Sequence, residues 1–136
     1  MQIREIMTRN PATVRSNESV MHAAEIMKKL NVGILPVVDQ NKPVGIITDR
    51  DITLRTIAEH LNPSSTSVGE IMSKEVYACF EDSDASECIR TMENKQVRRM
   101  LVRNADGSVS GIVSLRDIAQ KLNKETAGEV VYETSR

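Results

Sequence analysis

Aromatic side chains are nearly missing from this chain, which has two tyrosines, one phenylalanine and no tryptophan among 136 residues. No series of rings is available for nucleic-acid bases to stack on, and any core must be filled by Ile, Val, Leu, Met and Ala. An excess of one charge is missing too. There are 8 basic and 7 acidic residues through Pro63, and 10 and 12 after it, for a formal net charge of −1. Neither part has the basic surplus of a nucleic-acid binder, so nucleic acid is not an expected partner even though Arg98, Arg99 and Arg103 lie close together. Nowhere do 18 apolar residues run together, and Met1-Gln2-Ile3-Arg4-Glu5-Ile6-Met7 has none of the apolar character of a secretory leader. The expected compartment is therefore the cytoplasm. Two cysteines, Cys79 and Cys88, are too few and wrongly spaced for a disulfide framework or a zinc cluster, and are expected as reduced, buried thiols. His22 and His60 each stand alone on an expected helix, so no metal site is expected. No phosphate-binding Gly-rich loop and no nucleophile elbow occurs, so no enzyme is expected.

What is present is an ordinary globular composition, 40% hydrophobic and 27% charged, arranged in a repeat. At an offset of 65 residues Glu5-Ile6-Met7-Thr8 matches Glu70-Ile71-Met72-Ser73, Met27 falls on Met92, Val32 on Val97 and Val37 on Val102. One inserted residue moves the offset to 66, where Gly45-Ile46-Ile47-Thr48-Asp49-Arg50-Asp51-Ile52 matches Gly111-Ile112-Val113-Ser114-Leu115-Arg116-Asp117-Ile118. The insertion falls between the turns Gln40-Asn41-Lys42 and Ala105-Asp106-Gly107, where length changes cost least.

Both copies show the same periodicities. Val20, Ala23, Ala24 and Met27 form one helical face, repeated by Ala85, Cys88, Ile89 and Met92, with Ser19 a cap for the first helix and Asp84 with Glu87 a capping box for the second. Two short apolar strands joined by a turn follow each helix, a strand at Ala12-Thr13-Val14 or Tyr77-Ala78-Cys79 precedes it, and a second helix closes the unit. Leu54, Ile57, Ala58 and Leu61 give that closing helix in the first copy an apolar face. Each copy is thus a β-α-β-β-α unit of an α/β (α+β) protein, residues 1–62 and 68–123, with a Pro- and Ser-rich linker at 63–67 and a tail at 124–136 read as a short helix or loose end. A unit of about 60 residues buries only about 60% of its unfolded surface, so the two should pack on each other.

Chemistry concentrates where each second strand enters its closing helix, at Gly-x-x-[Thr/Ser]-x-Arg-Asp. Thr48 with Asp51, and Ser114 with Asp117, have the spacing of a capping box, a purely structural role. The same residues suit a ligand: a helix N-terminus offers N–H groups to an anion, Arg50 or Arg116 adds a bidentate phosphate partner, and the Asp carboxylate can accept both hydroxyls of a ribose. The residues alone leave both roles open.

The doubled pattern of Glu-Ile-Met-[Thr/Ser], a middle apolar strand and Gly-h-h-[Thr/Ser]-x-x-Asp, where h is apolar, resembles the CBS domain family over residues 1 to about 122. The resemblance implies a pseudo-twofold pair of repeats, a Bateman module, whose two clefts hold AMP, ADP, ATP, S-adenosylmethionine or an NAD-type ligand. It also implies a homodimer of two modules, no required cofactor, and a non-catalytic sensor that regulates a partner protein. By position, Asp51 and Asp117 would hold ribose hydroxyls, Thr48 and Ser114 ribose or phosphate, and Arg50 and Arg116 phosphate. Thr13, Val14, Ile34, Leu35 and Pro36 would line the base in one cleft, and Ala78, Cys79, Arg99, Met100 and Leu101 in the other. The second copy departs from the family pattern, with Leu101 where the first has Pro36 and with Arg98-Arg99 before it, so the clefts are expected to differ. Those arginines suit either a polyphosphate or an exposed strand edge. The competing expectation is a structural dimerisation module with no bound ligand.

Overall fold

The computed structural model describes residues 1–129. A short 3-10 turn at Ile3–Glu5 leads into β1 (Thr8–Arg9), then α1 (Val20–Leu30), β2 (Ile34–Asp39), β3 (Lys42–Thr48) and α2 (Asp49–Ile52), which runs on as a π-helical segment, Thr53–Ile57. After the linker come α3 (Val68–Ile71), β4 (Ala78–Phe80), α4 (Ala85–Lys95), β5 (Arg99–Arg103), β6 (Val109–Ser114) and α5 (Leu115–Glu129). Ser19 caps α1 by accepting from the His22 N–H at 3.0 Å. Asn31 and Gln96, both in the left-handed region, end α1 and α4 in the same way, with the Val32 and Val97 N–H groups donating back to the Met27 and Met92 carbonyls. The β2–β3 loop is the two-residue pair Gln40-Asn41 with φ of 51° and 65°, the backbone of a type I′ turn. The longer β5–β6 turn instead places Gly107 at φ 88°, so the inserted residue changes turn type and leaves the strands intact.

The sheets mix the two copies. One has the order β1-β6-β5-β4, with Thr8 opposite Ile112, so the first copy's β1 lies along the second copy's β6. Its counterpart is the bridge of Ser73 to Ile46 on β3, which forms a separate two-stranded sheet with β2. Likewise Gln2 bridges Asp84 while Ser67 bridges Ser19. Each copy therefore lends its first residues to the other. Ile3 and Met7 are buried with Cys79, Cys88, Met92, Met100, Val113 and Ile118, whereas Val68 and Ile71 are buried with Val14, Val20, Met27, Leu35, Val37 and Ile47. The sequence repeat and the packing unit are accordingly offset by about one strand.

Two glycines make the exchange possible. A Cβ on Gly111 would stand 2.7 Å from the Met7 Sδ and 2.8 Å from the Thr8 carbonyl oxygen; on Gly45 it would stand 2.6 Å from the Met72 Sδ and 2.7 Å from the Ser73 carbonyl oxygen. The close approach those glycines serve is thus to the crossing chain.

Several details depart from the sequence reading. Asp84 precedes α4 but makes no side-chain cap bond; its carboxylate accepts from the Ser86 hydroxyl at 3.0 Å. The expected first strand at Ala12-Thr13-Val14 is reduced to one parallel bridge of Val14 to Val37. Leu54, Ile57 and Leu61 are 45%, 56% and 44% exposed, and Thr56 is buried in their place. Across Thr53–Ile57 the helix is π-type, the Ala58 N–H reaching back five residues to the Thr53 carbonyl, so the 3.6-residue spacing on which that face was read does not hold there. The linker is ordered, Thr66 being buried with its hydroxyl on the Asn62 carbonyl and its own carbonyl accepting from the Val20 N–H. Residues 124–129 continue α5, and the rest of the expected tail lies outside the described residues.

Gly111→Ala should lower stability by about 1–3 kcal/mol, the range for inserting a methyl group into filled space. A urea midpoint equal to that of the parent chain would mean that β1 does not lie against β6 as described.

Candidate functional site

The exchange of β1 opens a cleft of about 700 Å³ between the two copies. Its second-copy wall carries Ser114, Arg116 and Asp117 at the β6–α5 junction, with Arg98 and Arg99 beside them. Arg99 is directly opposite Ser114 in the β5–β6 ladder, and the Leu115 N–H donates to the Arg98 carbonyl at 2.8 Å, which fixes the two arginines against the helix start. The facing wall comes from the first copy: Pro11 and Ala12 just after β1, and Leu30, Val32 and Ile34 around the end of α1. Leu30 and Val32 are 49% and 39% exposed, so this wall is apolar and open to solvent.

The two Thr/Ser–Asp boxes differ. In the first copy the Asp51 N–H donates to Thr48 Oγ1 at 3.0 Å and the Thr48 N–H donates to Asp51 Oδ2 at 3.0 Å, a completed capping box. The other Asp51 oxygen stands 3.9 Å from Arg55 Nε. In the second copy only half the box is made, the Asp117 N–H donating to Ser114 Oγ at 3.0 Å. Among the described residues the Asp117 carboxylate has no hydrogen bond or ion pair, although Lys121 and Lys124 share a small crevice with it. The Arg98, Arg99 and Arg116 guanidiniums are likewise unpaired among the described residues. One cleft thus combines an apolar wall, one uncommitted carboxylate and three uncommitted cations.

A family model of the CBS domain matches this chain twice, over residues 3–56 and 68–124. The chain belongs to the CBS domain family. It is similar to the CBS domain-containing protein YhcV of Bacillus subtilis (strain 168), 36% identical over 134 residues that make up 98% of this chain and 94% of the relative. Among solved structures, it resembles the CBS domain pair of protein MJ0100 in complex with 5'-methylthioadenosine and S-adenosyl-L-methionine. The TM-score is 0.79 at 31% identity, over 92% of this chain and 98% of that one. It also resembles hypoxic response protein I with two coordinated zinc ions, at a TM-score of 0.77 and 31% identity, over 88% of this chain and 98% of that one. Among the described residues this chain has no cluster of three or more His, Cys, Asp or Glu side chains able to hold a metal ion, and no helix long and apolar enough to cross a membrane.

Within this CBS pair the expected site residues separate by strand alternation. Ile34 and Arg99 face the open cleft together with Ser114, Arg116 and Asp117, so the cleft draws on both repeats. Val14 and Leu35 lie in the first core and Cys79 and Met100 in the second, while Pro36 and Leu101 are also buried. Thr13 and Ala78 are exposed and outside the cleft lining. The neighbouring Cys88 sulfur and then burial push the Cys79 thiol up, and its Sγ–H donates to the Leu101 carbonyl at 3.9 Å, which marks a packed thiol and not a nucleophile. Thr8, Pro11, Ala12, Leu30, Val32 and Ile112 line the cleft without having been assigned to it from sequence, and Arg98, weighed there as a polyphosphate partner or an exposed edge, lines it too. For Pro11 and Ala12 the signal was present, since they follow the matched Met-Thr and Met-Ser segments that open each copy.

The arrangement at Thr48, Arg50 and Asp51 follows from the pseudo-twofold relation. The Asp49 N–H donates to the Gly33 carbonyl at 3.0 Å just as the Leu115 N–H does to the Arg98 carbonyl. Here the counterparts of Ala12, Leu30 and Ile34 are Tyr77, Lys95 and Arg99. Asp51 is thus engaged in holding its helix whereas Asp117 is not. Asp51→Ala is expected to lower stability by about 1 kcal/mol, as loss of a cap does, while Asp117→Ala should stay within about 0.5 kcal/mol of the parent. Equal losses in chemical denaturation would show that both carboxylates serve only as caps.

Proposed function

We propose that the Asp117 cleft binds an adenosyl ligand that carries phosphate, such as AMP, ADP or ATP, and that the chain is a non-catalytic regulatory module. The observation that carries this reading is that Asp117, whose carboxylate has no partner among the described residues, shares one cleft with three guanidiniums likewise unpaired among them and with an apolar wall. A ribose diol can donate two hydrogen bonds to one carboxylate, Ser114 Oγ can serve ribose or phosphate, and a purine suits the apolar surface of Leu30, Val32 and Ile34. Phosphate oxygens suit Arg98, Arg99 and Arg116, since charge-assisted bonds to guanidinium are the strong ones. The adenosyl ligands of the MJ0100 CBS pair support the nucleoside part of the reading. Neither of those carries phosphate, and the sulfonium of S-adenosylmethionine would face three positive charges here.

A second copy of the chain is the partner we propose for the exposed Leu54, Ile57 and Leu61. The second repeat has Gln120 and Asn123 at the places of Leu54 and Ile57, so a twofold dimer would bury the apolar stripe against itself. Ligand occupancy would bias the angle between repeats or between copies, to the extent that the ligand prefers one arrangement, and a partner protein would read that angle.

Calorimetry and thermal shift against AMP, ADP, ATP, 5'-methylthioadenosine and S-adenosylmethionine test the reading. A phosphate-bearing ligand at about 100 times its Kd should stabilise the chain by about 2.7 kcal/mol. Asp117→Ala should weaken binding about 10- to 100-fold, the equivalent of one or two charge-assisted hydrogen bonds. Silence from all five compounds, or full affinity in Asp117→Ala, would overturn it; preference for 5'-methylthioadenosine would reject the phosphate assignment alone.

A further inference from the structure

The pseudo-twofold relation between the repeats holds at the helix ends and where each copy's first residues cross to the other, and it breaks at places that bear on binding. Around the open cleft, Ala12 and Leu30 stand on the first-copy wall with the space of the cleft between them and Ser114. Their counterparts at the Thr48 side are Tyr77 and Lys95. These two side chains meet, the Lys95 Nζ lying 5.7 Å from the centroid of the Tyr77 ring, within the range of a cation–π contact. The ring is half-buried against the second core, and its hydroxyl donates to Glu75 Oε2 at 3.3 Å, so it is held from both ends. A methyl group stands at position 12 on the wall of the open cleft, and by the pseudo-twofold relation a phenol stands at the matching position 77.

A second observation points the same way and is independent of the ring. Both groups of the Thr48–Asp51 box are spent on each other, whereas the Ser114–Asp117 box leaves its carboxylate uncommitted. The side with the larger residues is also the one whose carboxylate has one oxygen engaged by its own helix.

We infer that Tyr77 is the built-in occupant of the Thr48–Asp51 cleft, so that one chain takes one adenosyl ligand where two equivalent clefts would take two. The count of one rests on the proposed binding at Asp117; the role of Tyr77 stands apart from it. Tyr77 is then a residue that sets stoichiometry, and the chain's scarcity of aromatic side chains makes its position here a specific feature of the second repeat.

Equilibrium dialysis of AMP, with ATP in parallel, against the full chain and its variants tests this. The parent should hold one AMP per chain and lose it in Asp117→Ala, and failure of that step overturns the proposed function without reference to Tyr77. Tyr77→Ala should add one AMP per chain to whatever the parent holds, and Asp51→Ala in that background should remove the added one. The reciprocal Ala12→Tyr should close the Asp117 cleft and reduce the parent count by one while the far-ultraviolet circular dichroism is unchanged. No gain in Tyr77→Ala with an intact fold, or no loss in Ala12→Tyr, would overturn the inference. If Tyr77→Ala does not fold, Ala12→Tyr decides the matter alone.

Discussion

The molecule depends on the exchange of leading strands between its two repeats. Gly45 and Gly111 leave only a hydrogen where a Cβ would meet a methionine sulfur and a backbone carbonyl oxygen, and through that gap β1 reaches β6 and Ser73 reaches β3. The same passage carries Ile3 and Met7 into one core and Val68 and Ile71 into the other. Neither core is complete without residues from the other repeat, so two units each too small to bury a sufficient interior become one cooperative body. The open cleft is a consequence of this exchange. Pro11 and Ala12 are the residues on which the chain leaves β1 for the first repeat, and they form one wall because β1 is already docked beside Ser114.

Within that symmetric frame, the two candidate sites depart from symmetry. Two boxes of the same residue types have different hydrogen bonds, one complete and one half made. Two strand starts differ in charge, Gly33-Ile34 in the first repeat facing Arg98-Arg99 in the second. A completed box stabilises its helix by roughly a kilocalorie and engages one carboxylate oxygen, whereas a half-made box keeps the hydroxyl on the helix and both carboxylate oxygens available. Capping and binding are therefore not exclusive roles for the motif. With the proposed binding at Asp117, they fall unequally on its two occurrences.

Most of the fold was legible because the repeat doubles every signal: a helical face seen once at Val20, Ala23 and Met27 is an inference, and seen again at Ala85, Cys88 and Met92 it fixes the register. The exchange was not legible, because periodicity reports which side of a segment is buried and says nothing of which neighbour buries it. Met7 and Met72 match in the repeat, and each packs against the core of the opposite repeat. The helix face at Leu54 and Ile57 misled for a different reason. The π turn over Thr53–Ile57 breaks the 3.6-residue spacing across those positions, and no residue type in Thr53-Leu54-Arg55-Thr56-Ile57 announces one. At the site, the motif residues were legible and the lining was only partly so. Runs such as Ile34-Leu35-Pro36 and Arg99-Met100-Leu101 lie on strands, where successive side chains take opposite faces, so Ile34 and Arg99 reach the cleft while Leu35 and Met100 enter the cores.

Because the open cleft is lined by both repeats, a ligand held there would touch Leu30, Val32 and Ile34 of one and Ser114, Arg116 and Asp117 of the other. Its binding free energy would then resist any motion that separates those walls, which is the differential affinity that a regulatory response requires. With Tyr77 standing on the opposite side, that restraint would act on one side of the pseudo-twofold axis only. A symmetric pair of ligands could stiffen the module but would apply equal restraint about the axis, whereas a single ligand opposite a fixed side chain can tilt one repeat against the other. The broken symmetry of the clefts is thus what would let occupancy become a directional change in shape.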